Sequence, residues 1–282
     1  LKGEYVKTDI NKAIKYLQLS AQYNNVNSLF SLGLIYDKGQ FISRDVNKAI
    51  HYYELAASLS DSSAQYNLGL IYNNSESFLF DINKAIYYYT LAANQNYLDA
   101  QYNLASIYYN GAFVARDINK AINYFTLAAD QYHLESQFAL GLIYYKGEFI
   151  KRDVNKTLHY WSLAASQYHS DSQTNLGIIY YKGEFVPRDI NKAIYYWSLA
   201  AKQNNSCAQF NLGLIYSENK YVKQDMSKAI YYYTLAADQC HSYAQYNLGI
   251  IYYNGEFVTR DINKAIHYLS LAAKQNNSKA QF

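Results

Sequence analysis

The sequence predicts an all-α protein, an α-solenoid built from about eight helix–turn–helix repeats of 36 residues each. One observation is an aspartate that returns every 36 residues, at Asp9, Asp45, Asp81, Asp117, Asp153, Asp189, Asp225 and Asp261. Another is composition: one proline and twelve glycines among 282 residues are too few for an all-β chain of many short strands. Because a helical hairpin of this length cannot bury both its faces alone, neighbouring repeats are expected to stack into a continuous core.

Each repeat opens with a segment that predicts a helix and reads approximately D-I-N-K-A-I-x-Y-Y-x-L-A-A. Asp81 has the side chain of a helix N-cap, and apolar residues follow it at helical spacing. In this copy they are Ile82, Ala85, Ile86, Tyr89, Ala92 and Ala93. Residues 95–99 are a polar connector, which predicts a turn.

A second helix is predicted from about Ala100 to Tyr109. Gly111 follows it, at the point where a left-handed C-terminal cap belongs. Phe113 and Val114 are expected to form an apolar plug in the loop that leads to the next aspartate. The repeat therefore consists of two helices, a polar connector and a partly apolar loop.

Two repeats lack the glycine that should follow the second helix. Ser75 occupies one of these loops, within residues 73–80, and Asn219 occupies the other, within residues 217–220. Because asparagine tolerates the left-handed conformation better than most residues, we expect Asn219 to be a mild change and Ser75 to distort its loop more. The two loops are interpreted either as neutral drift or as places where the surface is specialised.

The repeat can be written A-x-x-x-L-G-x-x-Y-x-x-G, then D-x-x-K-A, then A-A. Two instances consist of Ala64, Leu68, Gly69, Tyr72, Asp81, Lys84, Ala85, Ala92 and Ala93, and of Ala244, Leu248, Gly249, Tyr252, Gly255, Asp261, Lys264, Ala265, Ala272 and Ala273. This pattern resembles the Sel-1-like repeat, a relative of the tetratricopeptide repeat, over essentially the whole chain. The resemblance implies a single array over residues 1–282 with both ends inside a repeat.

The same resemblance implies a right-handed superhelix of antiparallel helix pairs. It also implies an adaptor role in protein assembly, quality control, signalling or the bacterial–host interface. Some bacterial members carry paired cysteines in every repeat, whereas this chain has only Cys207 and Cys240. Two cysteines are too few for a disulfide framework, and they favour a reducing, cytoplasmic compartment without fixing it.

A helical wheel divides the second helix into two faces. One face holds Ala100, Leu104, Ala105 and Tyr108, with Ile107 at its edge, and is expected to pack on neighbouring helices. The other face holds Asp99, Tyr102, Asn103, Ser106 and Asn110, and in the family it lines the concave surface. The candidate partner-binding residues on this face are Tyr66, Asn67, Tyr102, Asn103, Phe138, Asn175, Phe210, Asn211, Tyr246 and Asn247.

The recurring asparagine suggests a grip on an extended peptide, because a side-chain amide both donates and accepts hydrogen bonds. Its aromatic neighbour would add contact area at a modest entropic cost. In the alternative interpretation the asparagines bridge neighbouring helices and the rings pack between repeats. Two repeats depart from the pattern, with Ala139 in place of the asparagine and Thr174 in place of the ring.

Other candidate chemistry is interpreted as structural or coincidental. A lysine recurs from Lys12 to Lys264 and is expected to form a charge ladder with nearby acids such as Asp153, Asp189, Glu148 and Glu184. His133, His169 and His241 share one connector position, but equivalent atoms about 10 Å apart cannot share one zinc ion. The S-x-x-K match from Ser217 to Lys220 lacks its companion motifs. No catalytic residue, metal or cofactor is predicted.

The sequence therefore predicts a protein–protein interaction scaffold or adaptor that binds a partner protein or extended peptide on its concave face, and not an enzyme. An alternative is a structural component that assembles with further repeats or within a larger complex. A third is a single-stranded nucleic-acid binder, but the candidate positions are mostly neutral and the net charge of +3 is spread along the chain. No apolar run reaches the roughly 18 residues of a membrane span, so no membrane insertion is expected.

Overall fold

The computed structural model describes residues 9–40 and 42–275, and every regular element in these ranges is an α-helix. The fifteen helices of these ranges alternate between the first helix of a repeat (odd numbers) and the second helix (even numbers). The predicted all-α solenoid of 36-residue repeats is confirmed. The helices are α1 Ile10–Ala21, α2 Val26–Lys38, α3 Val46–Ser58, α4 Ser62–Tyr72, α5 Ile82–Asn94, α6 Leu98–Asn110, α7 Ile118–Ala129, α8 Leu134–Lys146, α9 Val154–Ser166, α10 Ser170–Lys182, α11 Ile190–Lys202, α12 Ser206–Ser217, α13 Met226–Asp238, α14 Ser242–Asn254 and α15 Ile262–Lys274.

The chain divides between Ser136 and Gln137, inside α8, into two compact units, and the same packing recurs within each unit. The most extensive contacts join the second helix of one repeat to the first helix of the next, as for α4 with α5 and for α12 with α13. The two helices of a single repeat, such as α5 and α6, contact each other less. Each repeat therefore depends on its sequence neighbour to cover its apolar surface.

An aspartate N-cap begins every first helix from α1 to α15. In α5 the Asp81 carboxylate accepts hydrogen bonds from the backbone N–H groups of Asn83 and Lys84, both at 3.1 Å. This confirms the predicted cap. Each such cap satisfies a backbone donor that a helix N-terminus otherwise leaves unpaired, and it contributes about 1 kcal/mol.

The second helices end differently in regular and irregular repeats. Gly111 caps α6 with φ 65°, in the predicted left-handed conformation. In the irregular repeats α4 ends at Tyr72 and α12 ends at Ser217, and neither Ser75 nor Asn219 has a positive φ. Compared with equivalent helices, α4 is shortened by two residues and α12 by one, so the loop of Ser75 is distorted more, as expected. Asn219, however, does not take the left-handed role that would have made it a direct substitute for glycine.

The predicted apolar plug after Gly111 is only partly formed. Phe113 is 57% exposed, although its ring contacts Phe80 with 4.8 Å between the centroids. Val114 is half-buried. Phe113 is therefore a surface side chain with one aromatic neighbour, because the loop lies across the helix ends and does not enter the core.

The connectors contain a feature that the sequence did not reveal. Seven residues other than glycine have φ between 58° and 66°, each at the same repeat position: Asn24, Ser60, Asn96, Tyr132, Tyr168, Asn204 and Cys240. At one of them the Tyr168 N–H donates to the Ala165 carbonyl, and the His169 N–H donates to the Ala164 carbonyl, both at 3.1 Å. These two bonds form a Schellman motif that ends the first helix without glycine.

Candidate functional site

The ten predicted binding residues lie at two adjacent repeat positions on α4, α6, α8, α10, α12 and α14, and all ten are half-buried. We call them the asparagine–aromatic set. On the opposite face Ala100, Leu104 and Ala105 are fully buried, as the helical wheel predicts. Asp99 and Asn110, on the same side as the set, are exposed.

The rings of the set pack against the following repeat. Phe210 lies 5.9 Å from Tyr233 of α13 and 4.6 Å from His241 of the next connector, measured between ring centroids. These rings thus help to join successive repeats, as the structural alternative expects, and only part of each ring is accessible. The same two contacts recur for Tyr66 with Tyr89 and Tyr97, for Tyr102 with Phe125 and His133, and for Phe138 with Trp161 and His169.

The asparagines of the set fall into two groups. The side chains of Asn67, Asn175 and Asn211 form no hydrogen bond with any residue in the described ranges. Asn103 and Asn247 instead lie near tyrosine hydroxyls. Burial raises the pKa of Tyr89 and of Tyr233, and the neighbouring amides of Asn103 and Asn247 oppose this rise. None of the five asparagine side chains thus has a hydrogen bond within the described ranges, and Asn103 and Asn247 differ from the other three in lying near a tyrosine hydroxyl.

The two departures from the set occur next to tryptophans. Trp161 Nε1 donates to the Phe138 carbonyl, and Trp197 Nε1 donates to the Thr174 carbonyl, each at 3.2 Å. These are the repeats in which Ala139 replaces the asparagine and Thr174 replaces the ring. In both repeats, a tryptophan on the following first helix thus accompanies the replacement in the set.

Two surface cavities open beside the set, one in each unit. The first has a volume of about 240 Å³ and is lined by Asn73, Ile82, Asn103, Ser106, Ile107, Asn110, Ala112 and Phe113. The second has a volume of about 280 Å³ and is lined by Leu214, Ser217, Glu218, Met226, Tyr233, Tyr246, Asn247, Ile250 and Ile251. Both lie at the irregular loops, and each has one asparagine of the set in its wall.

A glutamine pair that the sequence did not reveal, one member buried and the other at the surface, joins successive repeats. Gln239 Nε2 donates to Gln209 Oε1 at 2.7 Å, and Gln209 Nε2 donates to the Ala201 carbonyl at 3.3 Å. The available signal was two glutamines 30 residues apart that both recur every 36 residues. The other pairs are Gln95–Gln65, Gln131–Gln101, Gln167–Gln137, Gln203–Gln173 and Gln275–Gln245.

The expected lysine ladder is formed in part: the aspartate three residues earlier pairs with Lys12, Lys48, Lys120, Lys192, Lys228 and Lys264. Lys156 instead donates to the Tyr144 hydroxyl at 3.3 Å, and Glu148 and Glu184 pair with Lys146 and Lys182, which are not ladder lysines. Lys228 Nζ lies 3.2 Å from Asp225 Oδ2 and 5.1 Å from the centroid of the Tyr216 ring. Lys192 likewise pairs with Asp189, at 3.7 Å, and lies over Tyr180, at 4.9 Å. The lysines are exposed, so each pair is a weak surface interaction that orients the side chain.

The histidines are bound into local structure. His133 Nδ1 accepts a hydrogen bond from the Ser136 N–H at 3.2 Å, and Glu135 lies 3.4 Å from Nε2. Within residues 9–40 and 42–275 no group of three histidine, cysteine, aspartate or glutamate side chains is placed to hold a metal ion. Cys207 and Cys240 are both exposed thiols.

The serine of the S-x-x-K match is engaged with its own repeat and the next. Ser217 Oγ donates to the Leu214 carbonyl at 2.8 Å and lies 3.1 Å from the Tyr233 hydroxyl. Lys220 Nζ lies over the Tyr221 ring, 4.9 Å from its centroid. Ser217 and Lys220 therefore have separate partners. Among the helices of the described ranges, none has the length and apolar character needed to cross a membrane.

The Sel1 repeat family model matches residues 1–24, 26–61, 62–97, 98–133, 134–169, 170–205, 208–239 and 242–277. The structure of c5321, a protective antigen present in uropathogenic Escherichia coli strains, is similar with a TM-score of 0.89 and 28% sequence identity over 99% of this chain; the chain spans 60% of that protein. A Sel1 repeat protein from Oxalobacter formigenes has a TM-score of 0.81 and 29% identity, covering 98% of this chain and 80% of that one. A comparison with curated proteins gave no match. Each matched segment from residue 26 onward covers a second helix and the first helix that follows it, as α4 and α5 in residues 62–97, and with eight matched segments in all the chain belongs to the Sel1 repeat family.

Proposed function

We propose that this protein is an adaptor that binds an extended segment of a partner protein along the asparagine–aromatic set, on the face expected to be concave. Sel1 repeat proteins are generally protein-interaction scaffolds, and their fold is typically non-enzymatic. The finer proposal rests on one observation: Asn67, Asn175 and Asn211 are half-buried on the second helices and their amides form no hydrogen bond with any described residue.

An unpaired amide in a half-buried position favours binding to a peptide backbone. Each amide supplies two donors and an acceptor, which match the N–H and C=O groups of an extended chain without selecting its side chains. Helices pack about 10 Å apart, and a strand advances about 3.3 Å per residue, so one repeat would meet about three residues of the bound segment. The accessible part of each neighbouring ring would add apolar contact.

The surroundings of the five asparagines support a division of roles within the set. Asn103 and Asn247 lie near the hydroxyl groups of Tyr89 and Tyr233, which are closer to them than a bound segment needs to be. Asn67, Asn175 and Asn211 are therefore assigned the larger share of backbone recognition. This division separates the binding interpretation from the structural one residue by residue.

An affinity capture with chemical cross-linking and mass spectrometry tests the proposal. The binding variant carries Asn67→Ala, Asn175→Ala and Asn211→Ala. The matched control carries Asn119→Ala, Asn155→Ala and Asn191→Ala, which removes three exposed amides from the first turns of α7, α9 and α11. Circular dichroism establishes that both are folded.

A partner that cross-links to the wild type and to the control, but not to the binding variant, would support the proposal. Retention of the same partner by the binding variant at unchanged affinity would contradict it. In that case the first helices, which expose Tyr87, Tyr195 and Tyr231, become the next surface to test.

A further inference from the structure

The two cavities occur at the same place in the repeat, four repeats apart in the sequence. Asn73, Ile82, Asn103 and Ile107 of the first cavity have as their counterparts Ser217, Met226, Asn247 and Ile251 of the second. Both cavities therefore arise at one position of the repeat, and the residue that fills this position in other repeats indicates which kind of ligand each cavity can hold.

In four other repeats a tyrosine occupies the position of Asn73 and Ser217: Tyr109, Tyr145, Tyr181 and Tyr253. The Tyr145 ring lies between Trp161 of the next first helix and Phe185 of the loop one repeat further on, at centroid distances of 5.3 and 6.5 Å. Tyr181 lies in the same way between Trp197 and Tyr221, at 5.5 and 5.7 Å. In regular repeats this space thus holds a phenol ring of the chain itself.

The irregular repeats also lack the arginine that covers this ring. The Arg152 guanidinium carbon lies 5.8 Å from the Tyr145 centroid and 4.9 Å from the Phe185 centroid. At the two cavities the equivalent residues are Phe80 and Gln224. Phe80 turns to Phe113, and Gln224 Nε2 donates to the Ser217 carbonyl at 2.8 Å, so neither replaces the tyrosine–arginine pair.

Where the tyrosine is missing from the end of the second helix, the aromatic residue on the facing first helix differs as well. Tyr109, Tyr145 and Tyr181 face Phe125, Trp161 and Trp197, none of which carries a hydroxyl group at the ring tip. Asn73 and Ser217 instead lie beside the hydroxyl-bearing rings of Tyr89 and Tyr233. The Tyr89 hydroxyl is buried and has no partner in hydrogen-bonding geometry. Each cavity therefore combines apolar walls with polar groups at one end.

We infer that each cavity is a binding site for one aromatic side chain, tyrosine or phenylalanine, of a partner polypeptide, which takes the place of the tyrosine missing from that repeat. The inference rests on the proposed function, since the ring would belong to the segment bound along the asparagine–aromatic set. An apolar cavity of about 150 Å³ holds benzene, so volumes of about 240 and 280 Å³ suit one ring with its methylene group. Ile82, Ile107 and Phe113 supply the apolar contact in the first cavity.

The second cavity contains its own spectroscopic probe, because Met226 is the only methionine in the chain. Chain labelled at the methionine methyl group is titrated with 4-methylphenol, the side-chain analogue of tyrosine, and with 2-methylpropan-1-ol as an aliphatic control. We expect 4-methylphenol to shift the Met226 methyl resonance by its ring current and to saturate it in the millimolar range usual for a fragment of this size. No saturable shift, or an equal shift with the alcohol, would overturn the inference.

The paired substitution Ser217→Tyr with Tyr233→Phe closes the second cavity by reproducing the natural Tyr109–Phe125 pair. It should abolish the 4-methylphenol shift, whereas the surface control Asn155→Tyr should leave it unchanged. The substitution Ile82→Met places an equivalent probe in the first cavity, and Asn73→Tyr with Tyr89→Phe should close that one. A shift that persists in the closed variants reports binding elsewhere and overturns the inference.

The partner isolated with the asparagine variants separates this inference from the proposed function. If its peptide ring enters the cavities, closing both should weaken its binding by about ten-fold or more, the effect of losing one well-buried anchor. If the asparagine variant loses the partner while the doubly closed chain binds it as tightly as wild type, the proposed function stands and the inference is overturned.

Discussion

The ring of Tyr233 lies directly on the backbone of Gly213, so that a β-carbon on Gly213 would come within 2.5 Å of Tyr233 Cδ1. Gly213 is in the interior of α12 and has an ordinary helical backbone, so the glycine is required for close approach and not for conformational freedom. The same relationship joins Gly33 to Tyr53. The absence of a side chain at this glycine therefore lets the aromatic residue of the next repeat pack directly on the helix backbone.

Replacing this glycine is expected to separate two repeats. Gly213→Ala should lower the free energy of unfolding by about 1–3 kcal/mol, because the added methyl group forces the Tyr233 ring out of a close-packed interface. Urea denaturation followed by circular dichroism measures the change. The double substitution Gly213→Ala with Tyr233→Phe should cost less than the sum of the two single ones, since Ala105 and Phe125 occupy the equivalent positions in another repeat. An unchanged midpoint in the single variant would show that the ring does not rest on Gly213.

The hydroxyl groups of two equivalent tyrosines should have opposite effects on stability. The Tyr89 hydroxyl is buried without a hydrogen-bond partner, so Tyr89→Phe removes a desolvated group and should be neutral or stabilising by up to about 1 kcal/mol. The Tyr233 hydroxyl lies 3.1 Å from Ser217 Oγ, so Tyr233→Phe should cost about 1 kcal/mol. Thermal and urea denaturation of both variants test the difference, and equal effects would contradict the assignment of partners.

The Gln209–Gln239 pair should tolerate loss of both members better than loss of one. Gln209→Leu removes the acceptor of the exposed Gln239 amide, which can turn to water, and should cost about 1 kcal/mol. Gln209→Leu together with Gln239→Leu should cost less, because Leu29 and Leu59 occupy the equivalent positions earlier in the chain. The coupling energy from a double-mutant cycle is the measured quantity. Additive losses would mean that the two side chains do not depend on each other.

The left-handed connector residues offer a route to higher stability. Tyr168 has φ 65° and is 75% exposed, so its side chain contributes little packing while its β-carbon opposes the backbone conformation. Tyr168→Asn, which copies Asn204 at the equivalent position, should raise the free energy of unfolding by about 0.5–1 kcal/mol. Tyr168→Ala is the control, since alanine lacks the carboxamide through which asparagine tolerates the left-handed conformation, and it should give little gain. A gain of the same size from alanine would point to the loss of the ring and not to backbone relief.

Much of this fold follows from periodicity, because the N-cap aspartates, the buried alanine–leucine face and the Gly111 cap each depend on local sequence. Features that involve two repeats were harder to predict. The glutamine pair and the contact between Gly213 and Tyr233 join residues 30 and 20 positions apart, and a wheel of one helix does not show them.

The candidate site shows the same limit. The helical wheel placed the asparagines opposite the buried Ala100–Leu104 face, as observed, but it could not show that Asn103 lies beside Tyr89 while Asn67 has no such neighbour. That difference depends on which residue the next repeat presents. The binding role of the set remains a prediction, which the capture of a partner by wild type and variants tests.

The tyrosine at the end of the second helix also affects how repeat arrays of this kind can acquire different binding sites. Tyr145 and Arg152 belong to the surface of their repeat, while the glutamine pair and the glycine contact lie beneath it. Exchanging this tyrosine together with the ring that faces it is thus enough to open or close a cavity, and duplication of a 36-residue unit copies the open or closed form. An array of this kind can acquire new specificities by point mutation in single repeats while the stacking that folds the chain is inherited unchanged.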